Sequence, residues 1–241
     1  MIKFVIVSTQ RSGSAFLVTC LSSHPKIQCY REIFLPSNPK PETYRTYRTA
    51  SLGRQLDHLF RRKRLVDDYL ANLYASSDGV DALGFKFMYS QAWKFPEVVA
   101  WIKEHKAKVI HLIRKNTLKR IISGRIAQKR NVFHSTEPLE PIKVHLKPGK
   151  LKARLALSMR QIETYRQVFA DNPYLEVTYE SFATRRNDEA RRILQFLGIE
   201  PVVPLTTDLV KLNPDSLVEL IENYEEVTQS LKGTAFERYL D

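Results

Sequence analysis

Cysteine is nearly absent: Cys20 and Cys29 are the only two in 241 residues. A disulfide scaffold needs more, so the expected setting is a reducing, cytoplasmic one. Glycine is scarce too, with 8 residues beside 12 prolines, which excludes collagen-like and linker-like chains. No stretch reaches ~18 uncharged apolar residues, so no membrane span is expected. The apolar start, residues 2–7, is interrupted by Lys3 and is too short for the apolar part of a signal peptide. Internal repeats and low-complexity tracts are missing as well.

What is present is the balance of a folded protein, with 43% hydrophobic and 27% charged residues. The length fits one large α/β domain, and residues 1–241 are read as a single domain. The net charge of +12 is uneven. Residues 103–154 hold 15 Lys and Arg against 3 acids, while the remainder of the chain balances. Such a segment must lie near something anionic or repel itself.

Residues 2–8 (IKFVIVS) form a β-branched apolar run suited to a strand buried on both faces. A polar turn with one glycine follows at 9–14, then a helix over 15–21. Further strands are expected at 27–30, 82–88, 108–113 and 174–179. Helices are expected at 52–74, 96–104, 118–127, 151–169, 189–197, 215–221 and 224–231. Two long loops, 34–47 and 131–149, are candidates for acceptor binding, with Tyr44, Tyr47 and Phe133 offering aromatic faces. Strands alternating with helices predict an α/β fold: a central, mainly parallel sheet flanked by helices. In such sheets ligands sit beyond the carboxyl ends of the strands.

Beyond the first strand lies Thr9-Gln10-Arg11-Ser12-Gly13-Ser14. A glycine turn entering a helix gathers backbone N–H groups and the positive helix end around an oxyanion. Arg11 adds a bidentate cation, and Ser12 and Ser14 add hydroxyls. The Walker pattern is not met, because its second glycine and its Lys are missing. Among the later strand ends only Glu180 is acidic. A magnesium-dependent kinase is therefore disfavoured, and no metal site is expected.

The run Q-R-S-G-S-A-F-L, residues 10–17, resembles the 5′-phosphosulfate loop of sulfotransferases that use 3′-phosphoadenosine 5′-phosphosulfate (PAPS). Arg11, Ser12, Gly13 and Ser14 match in order, Ala15 replaces a frequent hydroxyl residue, and Phe16 continues the helix. His111-Leu112-Ile113-Arg114-Lys115-Asn116 with Ser123 resembles the family's 3′-phosphate segment. The Arg114–Ser123 spacing of nine is similar to that of bacterial enzymes that sulfate Nod factors and related glycans, whereas Lys115 stands eight before Ser123. Either base could face the phosphate, with Arg114 preferred for its fork. Tyr179-Glu180-Ser181-Phe182, residues 193–198 (ILQFLG) and residues 223–227 (NYEEV) resemble that branch too. Lys232-Gly233-Thr234 resembles its C-terminal closing segment. The resemblance implies a three-layer fold of P-loop-like topology. It also implies PAPS as sulfuryl donor, PAP (3′-phosphoadenosine 5′-phosphate) as product, and a hydroxyl acceptor on a carbohydrate or glycolipid.

Such transfer needs a base for the acceptor proton and fixed cations for the charge that develops. Glu32, after the second strand, is the preferred base. Histidine is the alternative, and His134 and His145 of the second loop stay open. Lys86, charged within an apolar strand, is expected to face the sulfuryl group or the acceptor, with Arg11 on the bridging oxygen. The surplus of basic charge points to an acidic acceptor or an anionic surface. Two competing readings are a P-loop-type small-molecule kinase and a nucleic-acid-binding protein using residues 103–154. No recognised nucleic-acid motif accompanies that charge.

Overall fold

The β-branched run at the chain start becomes the central strand of the fold. β1 (Ile2–Ser8), β2 (Ile27–Tyr30), β3 (Ala82–Met88), β4 (Lys108–Ile113) and β5 (Tyr174–Thr178) build one sheet in the order β2-β3-β1-β4-β5. Every pairing is parallel. This computed structural model describes all residues except 36, 38, 39, 77, 78 and 241.

Side-chain alternation sends the two halves of each strand to opposite helical layers. On one face Val5, Val7, Phe85 and Phe87 pack with Leu70, Trp101 and Phe169. Those come from α4 (Arg62–Ala75), α6 (Pro96–Glu104) and the C-cap of α8 (Pro148–Val168). On the other face Phe4, Ile6, Ile110 and Leu112 meet Leu17, Leu21, Ile193 and Leu197, carried by α1 (Ser14–Ser22) and α10 (Arg186–Leu197). Gly84 lets the Phe4 ring cross the neighbouring strand, because a Cβ there would overlap that ring. A third cluster joins α7 (Thr117–Arg130), the first half of α8 and α11 (Tyr224–Leu231) through Ile122, Leu155, Val227 and Leu231.

The structure corrects four readings of the chain. The helix expected at 52–74 is two, α3 (Leu52–Phe60) and α4, broken at Arg61 (φ −138°, ψ 42°). The break follows burial: α4 packs Leu65, Val66, Tyr69 and Leu70 into the core, whereas α3 buries nothing. The loop expected at 34–47 ends in α2 (Tyr44–Thr49), which Thr43 caps by accepting from the Thr46 N–H. Two six-residue helices, α5 (Tyr89–Lys94) and α9 (Tyr179–Thr184), follow β3 and β5 directly. Finally, 215–221 is not helical. Its backbone bridges Val144 instead, with Leu220 accepting from the Val144 N–H at 2.9 Å.

Candidate active site

Sheet order reverses on either side of β1, so its carboxyl end opens into a crevice between β3 and β4. A cavity of about 870 Å³ lies there. The turn from β1 into α1 forms its floor. Arg11 has φ 65° and Gly13 φ 84°, so the chain twice enters the left-handed region before the helix begins. No side chain caps α1, leaving its first N–H groups directed outward. Ser14, Ala15 and Phe16 line the cavity. Ser12 is fully buried, and its hydroxyl has no hydrogen-bond partner among the described residues.

The second wall comes from β4 and α7. Arg114 lines the cavity, whereas Lys115 is exposed and outside the wall. The Arg114 guanidinium stacks on the Tyr179 ring at 4.6 Å, donates to the Arg11 carbonyl at 3.4 Å, and leaves its buried Nε unpartnered. Arg11 donates from Nε to Ser123 Oγ at 3.2 Å and from Nη1 to the Phe133 carbonyl at 2.5 Å. Burial first, then the like charge of Arg114, lowers the Arg11 pKa, and burial lowers that of Arg114. An anion set against both guanidiniums relieves these penalties. Glu180, the one acidic strand end, accepts from the Lys115 and Asn116 N–H groups at 3.0 and 3.1 Å, and so is engaged at the start of α7.

The third wall is an ion pair. β-alternation turns Lys86 to the α1 side of the sheet, where its Nζ meets Glu32 Oε1 at 2.8 Å. Gln91, on α5, donates to Glu32 Oε2 at 3.3 Å. Arg31 also lines the cavity but does not pair with Glu32 among the described residues. His134 closes the opposite side, its pKa pushed down to about 4 by burial and by Arg11, Lys86 and Arg31.

The cavity thus gathers Glu32, Lys86, Arg11, Gly13, Ser14, Ala15, Phe16, Arg114 and Ser123. Lys232, Gly233 and Thr234 are not in its wall. They follow α11, whose Val227 and Leu231 anchor in the third cluster, and Gly233 N–H donates to Glu237. Residues 209–213 hold a side of the cavity instead, with the Val210 N–H bonded to the Ser135 carbonyl at 3.2 Å. Tyr44 and Tyr47 are not cavity residues either. Tyr44 is buried against Phe34, Tyr69 and Phe95, and Tyr47 packs on Tyr69. Phe133 does line the cavity. His111 is a core residue bonded to the hydroxyls of Tyr89 and Tyr174, and His145 is exposed and off the wall.

The charge is also distributed otherwise than the sequence implies. Of the fifteen cations in 103–154, only Arg114 lines the cavity. Others serve the scaffold: Lys108 donates to the Phe196 and Leu197 carbonyls, Arg120 to Ser158, and Lys129 to Glu222. The cavity draws its seven cations, Arg11, Arg31, Lys40, Lys86, Arg114, Arg186 and Lys211, from separated segments, against only Glu32 and Glu42. Tyr179 stands at a strand end, where ligands are expected, whereas Arg186 and Lys211 carry no pattern that marks them in the sequence as cavity residues. Among the described residues no group of three or more His, Cys, Asp or Glu could hold a metal ion.

A parallel α/β sheet whose central strand ends in a glycine turn entering a helix, with seven cations around the cavity beyond it, is an arrangement suited to anionic small molecules. A family model described as the Sulfotransferase family matches residues 4–203, and the chain belongs to that family. Its chemistry is therefore sulfuryl transfer. Among solved structures, a sulfotransferase from Alicyclobacillus acidocaldarius matches with a TM-score of 0.54 and 18% identity, over 100% of this chain and 96% of that one. The two share the fold, of P-loop-like topology. A mouse sulfotransferase complexed with PAP matches at 0.48 and 14%, over 83% of this chain and 60% of that one. The sulfotransferase domain of the Synechococcus PCC 7002 olefin synthase matches at 0.43 and 20%, over 83% and 74%. No curated protein matches the chain in sequence.

Proposed function

We propose that the protein transfers a sulfuryl group from PAPS to a hydroxyl of a carbohydrate or glycolipid-type acceptor, with Glu32 as general base. One observation carries this reading: a single cavity holds a seven-to-two cation excess beside the buried Arg114 Nε, a donor that lacks a partner among the described residues. A buried donor without an acceptor is costly. A ligand with phosphate groups near both ends of a nucleoside would meet the two arginines and the uncapped helix start. The residues therefore fit this donor, and the volume lies within the range of small-molecule sites.

When bound, PAPS supplies an activated sulfuryl group at its 5′ end. Arg11, Ser14 and the N–H groups at the start of α1 would hold that end, with Arg114 and Ser123 taking the 3′-phosphate. Glu32 accepts the proton from the acceptor hydroxyl, which lets that oxygen bond to sulfur as the bond from sulfur to the phosphate oxygen breaks. The same proton neutralises the partner of Lys86. Its ammonium, no longer offset by a carboxylate 2.8 Å away, then faces the developing charge at full strength. Base and electrophilic cation are coupled through one ion pair.

Calorimetric titration with PAP, AMP, and ATP with magnesium tests the donor. PAP should bind best, without metal, and Arg114→Ala should weaken PAP by about 10- to 100-fold while changing AMP little, as expected for a charge-assisted bond. Equal affinities for PAP and AMP would remove the donor assignment.

A further inference from the structure

We propose that α3 and the groove beside it form a docking face for an anionic phospholipid surface. This face lies outside the transfer cavity and does not rest on the reaction proposed above.

No residue of α3 is buried. Leu52, Leu56, Leu59 and Phe60 are 78%, 57%, 71% and 80% exposed. Their spacing places them along one side of the helix. A lone exposed leucine needs no explanation, whereas four large apolar side chains on one nine-residue helix form a ridge without a partner. Next to it lies a groove of about 480 Å³ that contains His58 of α3 and Trp93, itself 84% exposed. Arg45, Arg48, Arg62 and Lys94 also line this groove, and no acid does. Arg48 and Lys94 make no ion pair among the described residues. Of the seven Lys and Arg in residues 44–64, Arg62 pairs with Glu97, Lys63 with Asp67 and Glu104, and Arg64 with Asp68, which leaves Arg48, Arg61 and the neighbouring Lys94 without an acid among the described residues.

The ridge and the charge together select the occupant. A second copy of the chain would cover the leucines but would set the unpaired cations Arg48, Arg61 and Lys94 against their own copies. Nucleic acid would suit the cations but leave the ridge in water. A bilayer with anionic headgroups meets both, because the apolar ridge and an interfacial tryptophan enter the boundary while the arginines stay among phosphates. No helix of the described residues is long and apolar enough to cross a membrane, so the attachment is peripheral. Leu35 lines both this groove and the transfer cavity, so the docked face adjoins the side where an acceptor enters.

The test is sedimentation of the full chain with vesicles of phosphatidylcholine alone and of phosphatidylcholine with phosphatidylserine in about a 7:3 ratio. Binding is expected to the mixed vesicles, with a blue shift of Trp93 emission that Trp93→Phe abolishes, the other tryptophan, Trp101, being buried. L56S/L59S should lower partitioning at least tenfold, since each lost leucine removes about a factor of ten. R48Q should lower it about fivefold on mixed vesicles only. PAP titration should be the same for wild type and L56S/L59S, which separates this face from the cavity. No binding to mixed vesicles, or binding that L56S/L59S leaves intact, overturns the proposal. Lipid-independent self-association that L56S/L59S disperses assigns the ridge to a second copy and also overturns it.

Discussion

The substitution Gly13→Ala probes the anion turn at its tightest point. At φ 84° an alanine costs about 1 to 2 kcal/mol in backbone torsion. Its Cβ would also overlap the Tyr179 ring, with Cε2 at 2.9 Å, so the ring must move. Overpacking of that kind costs about 1 to 3 kcal/mol. Together they amount to about 2 to 5 kcal/mol, divided between folding stability and affinity for an anion at the turn. Tyr179 also carries the Arg114 guanidinium, so displacing the ring disturbs the group proposed to hold the 3′-phosphate. Urea unfolding and PAP calorimetry should together lose at least ~30-fold in equilibrium constant. The two contributions can be separated. In a Tyr179→Ala background the ring is gone, and adding Gly13→Ala should cost only the torsional 1 to 2 kcal/mol, roughly. The same loss in both backgrounds would show that the ring is not what the methyl meets. No loss in either would refute the geometry of the turn.

Glu32→Gln should reduce transfer by about 10²- to 10⁴-fold while PAP affinity stays near wild type, and retained activity would remove Glu32 as base. Lys86→Met should leave Glu32 in place but slow transfer as well. If single-turnover rates of the double variant match the product of the single losses, the ion pair does not couple the two groups. His111 is fully buried between the hydroxyls of Tyr89 and Tyr174, with Glu176 and Arg166 beyond, and burial pushes its pKa down to about 4. The unfolded chain therefore binds more protons between pH ~6.5 and ~4, so stability is complete above that window and falls as the pH drops through it, by about 3 kcal/mol. Urea midpoints followed from pH 7 to 4 should decline more steeply for wild type than for His111→Gln, and equal slopes would count against it.

The interior strands were readable because each is a short, mainly apolar run bounded by polar or turn residues. β1, β3 and β4 hide both faces, which only an interior strand needs. The turn after β1 was readable as a tight connection because one glycine stands in a polar stretch between a strand and a helix, and Gly13 does take φ 84° there. Glu32 and Lys86 were legible singly, but not as a pair, since they meet across 54 positions and two strands. α5 and α9 span six residues each, less than the two turns over which helical periodicity can be seen. The 209–213 wall is irregular backbone held by contacts from elsewhere, such as Ser135, and has no pattern of its own. Local charge density misled in a specific way. It counted cations that cap carbonyls or pair on the surface, and missed those that the fold collects one by one from distant loops.

The strand order has a consequence for how the chain is made. β1 and β2 emerge first, yet every neighbour they have in the sheet is β3 or β4, so neither can pair before residue 82 is available. The earliest segment to leave the ribosome thus stays an unpaired, largely apolar ribbon for about a third of synthesis. The contacts that place it are non-local, which slows folding and lengthens that exposure. The anion turn is translated among the first fifteen residues and is framed only after Arg114 and Ser123 arrive. Chains stalled short of β4 would hold the turn without its second wall, and would be targets for chaperones rather than weak versions of the enzyme.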